Sequence, residues 1–234
     1  MKYIAITGGI ACGKSTLGRL LAEQGADVLD ADAVVHRLQA PGGALVEPLR
    51  AEFGNGVITP DGAIDRHALA TLVFATINSP PAVGGRDSAG VVSNSSFFIP
   101  NSSLKGGVPL PPLARLNAIV HPVVREEFKK WRDDSSAKQP PWAKVAIIPL
   151  LFESGWQDDW DVTLCITCSP EAQLRRALAR GWTQEELARR AAAQWPMERK
   201  RALATIAVDN STDDLHALAQ VARDLRSYPF PSFS

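Results

Sequence analysis

The sequence predicts an α/β fold in three layers, with a five-stranded parallel sheet between helices. Three observations predict it. Short apolar runs alternate with stretches of helical periodicity, the pattern that builds parallel sheets. A glycine-rich loop sits between the first run and the first helix. A pair of arginine-bearing helices lies late in the chain, where it could close over that loop.

The first strand is Tyr3-Ile4-Ala5-Ile6, an apolar run suited to a buried parallel strand. Gly8-Gly9-Ile10-Ala11-Cys12-Gly13-Lys14-Ser15 follows and fits G-x-x-x-x-G-K-[ST], the phosphate-binding loop. Leu17, Leu20 and Leu21 then recur at helical spacing, and Gly25 can close the helix. Strand, loop and helix are the context this motif needs. Backbone N–H groups converging at a helix N-terminus hold a polyphosphate. Lys14 adds charge for the β- and γ-phosphates, and the Ser15 hydroxyl suits Mg²⁺. Cys12 occupies a place where a helix N-terminus lowers a thiol pKa, although a small residue that merely fits is the simpler reading.

The second strand, Asp27-Val28-Leu29, delivers Asp30-Ala31-Asp32 to the carboxyl edge of the sheet, where ligands bind. One carboxylate suits a helix cap for the run from Ala33; the pair together suits metal or proton chemistry. From Pro41 to Phe74 the pattern is helical. Leu45, Leu49 and Phe53 share a face, Pro60-Asp61-Gly62 is a turn, and Leu69, Leu72, Val73 and Phe74 form a second stripe. Residues 77–112 differ sharply, with six Pro, five Gly, seven Ser and three Asn among 36 residues. Such a stretch buries too little apolar surface to order itself, so it is expected to be a disordered insertion. Helical periodicity resumes at Leu113 and runs to Trp131.

Ala143 to Ile148 is an apolar strand that lacks the terminal Asp of a standard Walker B strand. Asp161 to Cys168 is the next, and Thr205 to Val208 the last, leading into Asp209-Asn210. Cys165 and Cys168 are three apart on a strand and face opposite sides, which argues against a metal or redox pair. Ser169 reads as a helix N-cap with Pro170 behind it, and Thr183-Gln184-Glu185-Glu186 as a capping box. Arg175, Arg176, Arg180, Arg189 and Arg190 lie on these two helices. Arg176 and Arg180 share a face and suit phosphate recognition. Arg189 and Arg190 are read equally well as i,i+4 partners of Glu185 and Glu186. Asp214 to Leu225 makes the final helix, and 227–234 is expected to fray.

Lys plus Arg and Asp plus Glu are 25 each, so no global field recruits nucleic acid or an anionic membrane. No apolar run reaches membrane-spanning length and none resembles a signal peptide. Three cysteines without such a signal imply reduced thiols and a cytoplasmic protein.

The ordered set of motifs resembles the dephospho-CoA kinase family of coenzyme A biosynthesis, within the P-loop NTPase class. The resemblance rests on Thr7-Gly8-Gly9-Ile10 leading into Gly13-Lys14-Ser15-Thr16, Asp30-Ala31-Asp32, Asp65-Arg66, His121-Pro122, Pro149-Leu150-Leu151-x-Glu153, Ser169-Pro170-Glu171-x-Gln173-Leu174-x-Arg176 with Arg180, Gln194, and Asp209-Asn210. It implies ATP-dependent phosphorylation of the ribose 3′-hydroxyl of dephospho-CoA, with ATP and Mg²⁺ and a monomer or small homo-oligomer. By matching position it implies Asp32 as general base, with Lys14, Thr7 and the lid arginine Arg176 at the transferred phosphoryl group. ATP would be bound by Gly9, Ala11, Cys12, Gly13, Lys14, Ser15, Thr16, Arg180 and Asn210, with Ser15 toward the metal. Dephospho-CoA would be bound by Asp32, His36, Arg37, Arg66, His121 and Leu150. The expected organisation over 1–226 is a nucleotide core (1–32 and 143–226), a helical acceptor subdomain (33–132) interrupted by 77–112, and a lid (170–200). Ala11-Cys12 departs from the family's usual Gly-Ser, and Thr212 stands where a Gly commonly follows the Asn turn. A kinase for a nucleoside monophosphate, or a nucleotide-binding regulator without phosphotransfer, are the alternatives.

Overall fold

The computed structural model describes residues 1–75, 110–136 and 139–228. The expected insertion at 77–112 and the end of the tail therefore lie almost wholly outside the described residues. The described chain divides into two compact units, 1–32 with 131–234 and 33–130.

The first unit is built on five strands: β1 (Lys2–Gly8), β2 (Asp27–Asp30), β3 (Ala143–Ile147), β4 (Val162–Thr167) and β5 (Ile206–Asp209). Their order is β2-β3-β1-β4-β5 and every pairing is parallel. Ile4, Ala5 and Ile6 in β1 and Val145 and Ala146 in β3 are fully buried, as strands covered on both faces must be. Helix α1 (Lys14–Glu23) buries Leu17, Leu20 and Leu21, and Gly18 lets it lie close, since a Cβ there would come 2.6 Å from Ile147 Cδ1. The last helix, α9 (Leu215–Ser227), adds Leu218, Ala222 and Leu225 to the same core, and its helical state at Ser227 replaces the fraying expected there.

Sequence periodicity missed a buried cation in the middle of this sheet. Lys144 is 2% exposed within β3, yet its Nζ donates to the carbonyls of Trp131, Arg132 and Asp134. Those carbonyls end the helix α5 (Pro112–Asp133), so the ammonium satisfies acceptors left over at a helix C-terminus and complements its dipole. Trp131 Nε1 also donates to Asp27 Oδ2 at 2.8 Å, tying that helix end to β2.

The second unit is helical: the body of α2 (Ala31–Leu38), α3 (Val46–Phe53), α4 (Arg66–Ala75) and α5 up to Lys130. Leu38, Leu45, Leu49, Val57, Ile64, Leu69, Val73, Val124 and Phe128 form its core. Leu72, expected on the inner stripe of α4, is 47% exposed, because Leu69 and Val73 at i and i+4 already take the buried face. The predicted turn at Pro60-Asp61-Gly62 joins an isolated antiparallel bridge between Ile58 and Ile64, with Gly62 at φ 85.

Candidate nucleotide and acceptor sites

The phosphate loop leaves β1 through Gly8, whose φ of 138 and 2.1 Å approach of a hypothetical Cβ to Ile166 O allow only glycine. Gly9 N donates to Ile166 O at 3.2 Å, fixing the start of the loop to β4. Gly13 caps α1 at φ 104, and a Cβ there would come 2.4 Å from Asn210 Nδ2. That amide donates to Cys12 O at 2.8 Å, so the loop is held from the end of β5 as well. Ala11 adopts φ 56, the only non-glycine residue at positive φ among those described. A left-handed alanine costs about 1–2 kcal/mol, strain that a glycine would not carry.

Lys14 folds back over the loop and donates to Gly8 O at 3.1 Å and Gly9 O at 2.8 Å. Burial pushes its pKa below the usual lysine range, while the Asp32 charge acts in the other direction. Lys200 and Arg180 also depress it, so several cationic groups bear on one small volume. Ser15 is exposed at the second position of α1, and Thr16 lies one residue deeper.

Cys12 is 2% exposed, and its Sγ lies 2.8 Å from Cys168 Sγ. Its thiol pKa is held high by its hydrogen bond to Cys168 and by burial, contrary to the lowering that a helix N-terminus alone suggests. Cys168 lies one residue beyond β4 and is half-buried, so strand geometry does not govern where it points. Cys165 stays inside the strand, and burial pushes it up to about 11.

Helix α6 (Pro170–Leu178) starts as expected, with Ser169 Oγ accepting from Ala172 N. It presents Arg176, whose Nε donates to Asp213 Oδ1 at 2.9 Å. Its Nη2 donates to Asn210 O at 2.7 Å and Thr212 O at 2.9 Å. Its Nη1 lies 3.5 Å from Ala11 O in the phosphate loop. Arg176 and Arg175 together hold the Asp213 carboxyl below the usual range. A cavity of about 340 Å³ opens here, lined by Gly13, Thr16, Arg176, Arg180, Asn210 and Leu215 among others. Exposed Arg180 lies in the turn past the end of α6, not on the helix as expected, and lines this cavity.

Helix α7 (Gln184–Ala192) is capped by Thr183, and its Arg190 is committed to Glu186 at 2.7 Å and to the face of Trp182 at 4.3 Å. Arg190 is therefore a helix-surface group. A third helix in this region, α8 (Met197–Leu203), has no apolar stripe and was missed from the sequence. It carries Lys200, which is fully buried and pairs with Glu153 at 2.7 Å. Lys200 Nζ also donates to Pro149 O at 2.9 Å, the same carbonyl that takes the Thr7 hydroxyl at 3.1 Å. Thr7 is fully buried, so its hydroxyl joins β1 to the end of β3. The signal for this network was present in the run Pro149-Leu150-Leu151-Phe152-Glu153: an acidic residue inside an apolar turn needs a buried cation.

Asp30 ends β2, and its Oδ1 accepts from Asp32 N at 2.8 Å. This local cap starts α2 at Ala31, two residues before the expected start, and places Asp32 in the first turn, exposed. Leu150 is half-buried in the turn after β3, and its carbonyl accepts from Ser154 N at 2.9 Å. In the helical unit Arg66 Nη1 meets His36 Nε2, and Arg37 pairs with Glu127 at 2.9 Å. His121 is half-buried on α5, and burial lowers its pKa. The structure thus brings His36 and Arg66 together, two of the residues expected at the acceptor. Among the described residues no cluster of three or more His, Cys, Asp or Glu could hold a metal, and no helix is long and apolar enough to cross a membrane.

The sequence model of the dephospho-CoA kinase family matches residues 2–83 and 112–215. A dephospho-CoA kinase from Symbiobacterium thermophilum is 38% identical over 226 residues, 95% of this chain and 80% of its own. One from Bdellovibrio bacteriovorus is 33% identical, over 97% of this chain and 96% of its own. Among solved structures, a Thermus thermophilus protein is 31% identical with a TM-score of 0.69, covering 97% of this chain and 98% of that one. A shikimate kinase from Acinetobacter baumannii, at 14% identity and a TM-score of 0.50 over 96% of this chain and 92% of its own, shares the fold.

Proposed function

The chain belongs to the dephospho-CoA kinase family, which phosphorylates dephospho-CoA with ATP in the last step of coenzyme A biosynthesis, and we propose the following division of labour among its residues. The loop through Gly9, Ala11, Cys12 and Gly13 and the first turn of α1, with Ser15 and Thr16, cradle the ATP phosphates. Lys14 exchanges its bonds to the Gly8 and Gly9 carbonyls for phosphate oxygens. The nucleoside enters the cavity beside Asn210 and Leu215, with Arg176 and Arg180 along one wall. That cavity opening directly off the phosphate loop is the observation that carries the nucleotide assignment.

Asp32 takes the proton of the ribose 3′-hydroxyl as that oxygen attacks the γ-phosphorus, and ADP leaves. Its charge already bears on Lys14. Arg176 leaves Asp213 to meet charge developing on the transferred group. Thr7, through Pro149 O, positions the β1 end rather than touching phosphate. His36, Arg37, Arg66, His121 and Leu150 are the proposed acceptor contacts. The Ser15 hydroxyl suits Mg²⁺ and would hold it, since this ion takes oxygen donors and few protein ligands beside phosphates and water. Bound there, it would neutralise phosphate charge. The protein is proposed to be cytoplasmic, a monomer or small homo-oligomer, and without a nucleic-acid partner.

The test is release of ADP measured with dephospho-CoA, with nucleoside monophosphates, and with no acceptor. Turnover is expected with dephospho-CoA alone. Equal turnover with a monophosphate would reassign the acceptor, and none with any acceptor would leave a nucleotide-binding protein.

A further inference from the structure

The contact between Cys12 and Cys168 has no task in phosphotransfer. Cys12 lies in the phosphate loop between strained Ala11 and the α1 cap, and it is anchored through its carbonyl to Asn210. Cys168 lies between β4 and Ser169, the N-cap from which α6 and Arg176 extend. Nearly 160 residues separate the two in sequence, but their sulfurs are 2.8 Å apart. Closing that gap to a bond is a side-chain adjustment of about 1 Å.

We propose that Cys12 and Cys168 are a thiol-oxidation site, closing to a reversible disulfide that ties the phosphate loop to the root of α6. The oxidant is a low-molecular-weight disulfide, RSSR. The Cys168 thiolate attacks one sulfur of RSSR, forming a mixed disulfide and releasing RS⁻, which takes up a proton as RSH. Cys12 then loses its proton and attacks the Cys168 sulfur, expelling the second RS⁻, which leaves as RSH. Two protein thiols have given up two electrons and two protons, and RSSR has become two RSH.

The surroundings set that order. Cys168 is half-buried, within reach of a small oxidant, whereas Cys12 is covered. The hydrogen bond from Cys12 and the nearby Arg176 guanidinium hold the Cys168 thiol below its usual range, so the thiolate forms there first. Cys165, buried within β4 and pushed up to about 11, is the internal control. The bond would fix the strand-to-helix junction from which the helix carrying Arg176 extends, and lid or loop motions limit turnover in many enzymes. This consequence rests on the nucleotide-site assignment above; formation of the bond does not.

The experiment exposes the wild-type protein, Cys168→Ser and Cys165→Ser to excess oxidised glutathione. Remaining thiols are then alkylated, peptides mapped by mass, and ADP release assayed before and after dithiothreitol. Expected for wild type and Cys165→Ser is a Cys12–Cys168 cross-linked peptide and a fall in turnover of about fivefold or more, reversed by reductant. Cys168→Ser should keep its turnover throughout. Absence of the cross-linked peptide in wild type overturns the site. A cross-link with unchanged turnover, or equal loss in Cys168→Ser, overturns its control of the kinase. If no variant turns over even when reduced, the function assignment has failed, and the peptide map still decides the disulfide.

Discussion

The sheet-bearing unit and the helical unit solve opposite problems with their charged residues. In the first, three cations are covered or half-covered and held on fixed acceptors: Lys144 on helix-end carbonyls, Lys200 on Glu153 and Pro149 O, and Arg176 on three carbonyls and Asp213. In the second, the proposed acceptor groups His36, Arg37 and Arg66 are exposed and pair with one another or with Glu127. Fixed dipoles suit phosphates whose position must be held to within fractions of an ångström. Exposed, mutually paired side chains can exchange partners at little cost, which suits binding an acceptor. The difference teaches where rigidity is spent.

The largest expected effect breaks chemistry without touching that rigidity. Asp32→Asn should lower kcat by ~10²–10⁴, the usual contribution of a positioned base, with ATP affinity little changed because the loop sets it. Turnover within about threefold of wild type would move the role to Asp30. Next, Lys200→Met leaves Glu153 buried without its cation and should cost about 3–5 kcal/mol in denaturant unfolding. Pairing it with Glu153→Leu should recover much of that loss, since two apolar groups leave no orphaned charge. A small effect of the single change would show that the buried network does not brace the unit.

Much of this was legible in the sequence, for a physical reason. Strands covered on both faces are written as continuous apolar runs, and a phosphate loop is written as glycines at fixed spacing, so β1, β3, β4 and the loop could be read directly. Caps at Ser169 and Thr183 were legible because their partners lie within three residues. The missing parts all depend on distant partners. Lys144 looks misplaced in β3 until the end of α5 is beside it. Cys168 looks like a strand residue until Cys12 meets it. Helix α8 has no stripe because its one buried side chain is a lysine aimed at Glu153.

A smaller effect sharpens the contrast inside the loop itself. Ala11→Gly removes the left-handed alanine and should raise stability by about 1 kcal/mol, measured as a shift in unfolding midpoint. Unchanged or lowered stability would mean that the loop carries no strain at Ala11.

The account turns on His36 and Arg66 of the helical unit serving the acceptor and not the nucleotide, and a double substitution tests that directly. In His36→Ala/Arg66→Ala, binding of a non-hydrolysable ATP analogue should stay within about twofold of wild type, while the KM for dephospho-CoA rises by about tenfold or more. Loss of analogue affinity in step with the acceptor KM would contradict it, placing His36 and Arg66 in the nucleotide site.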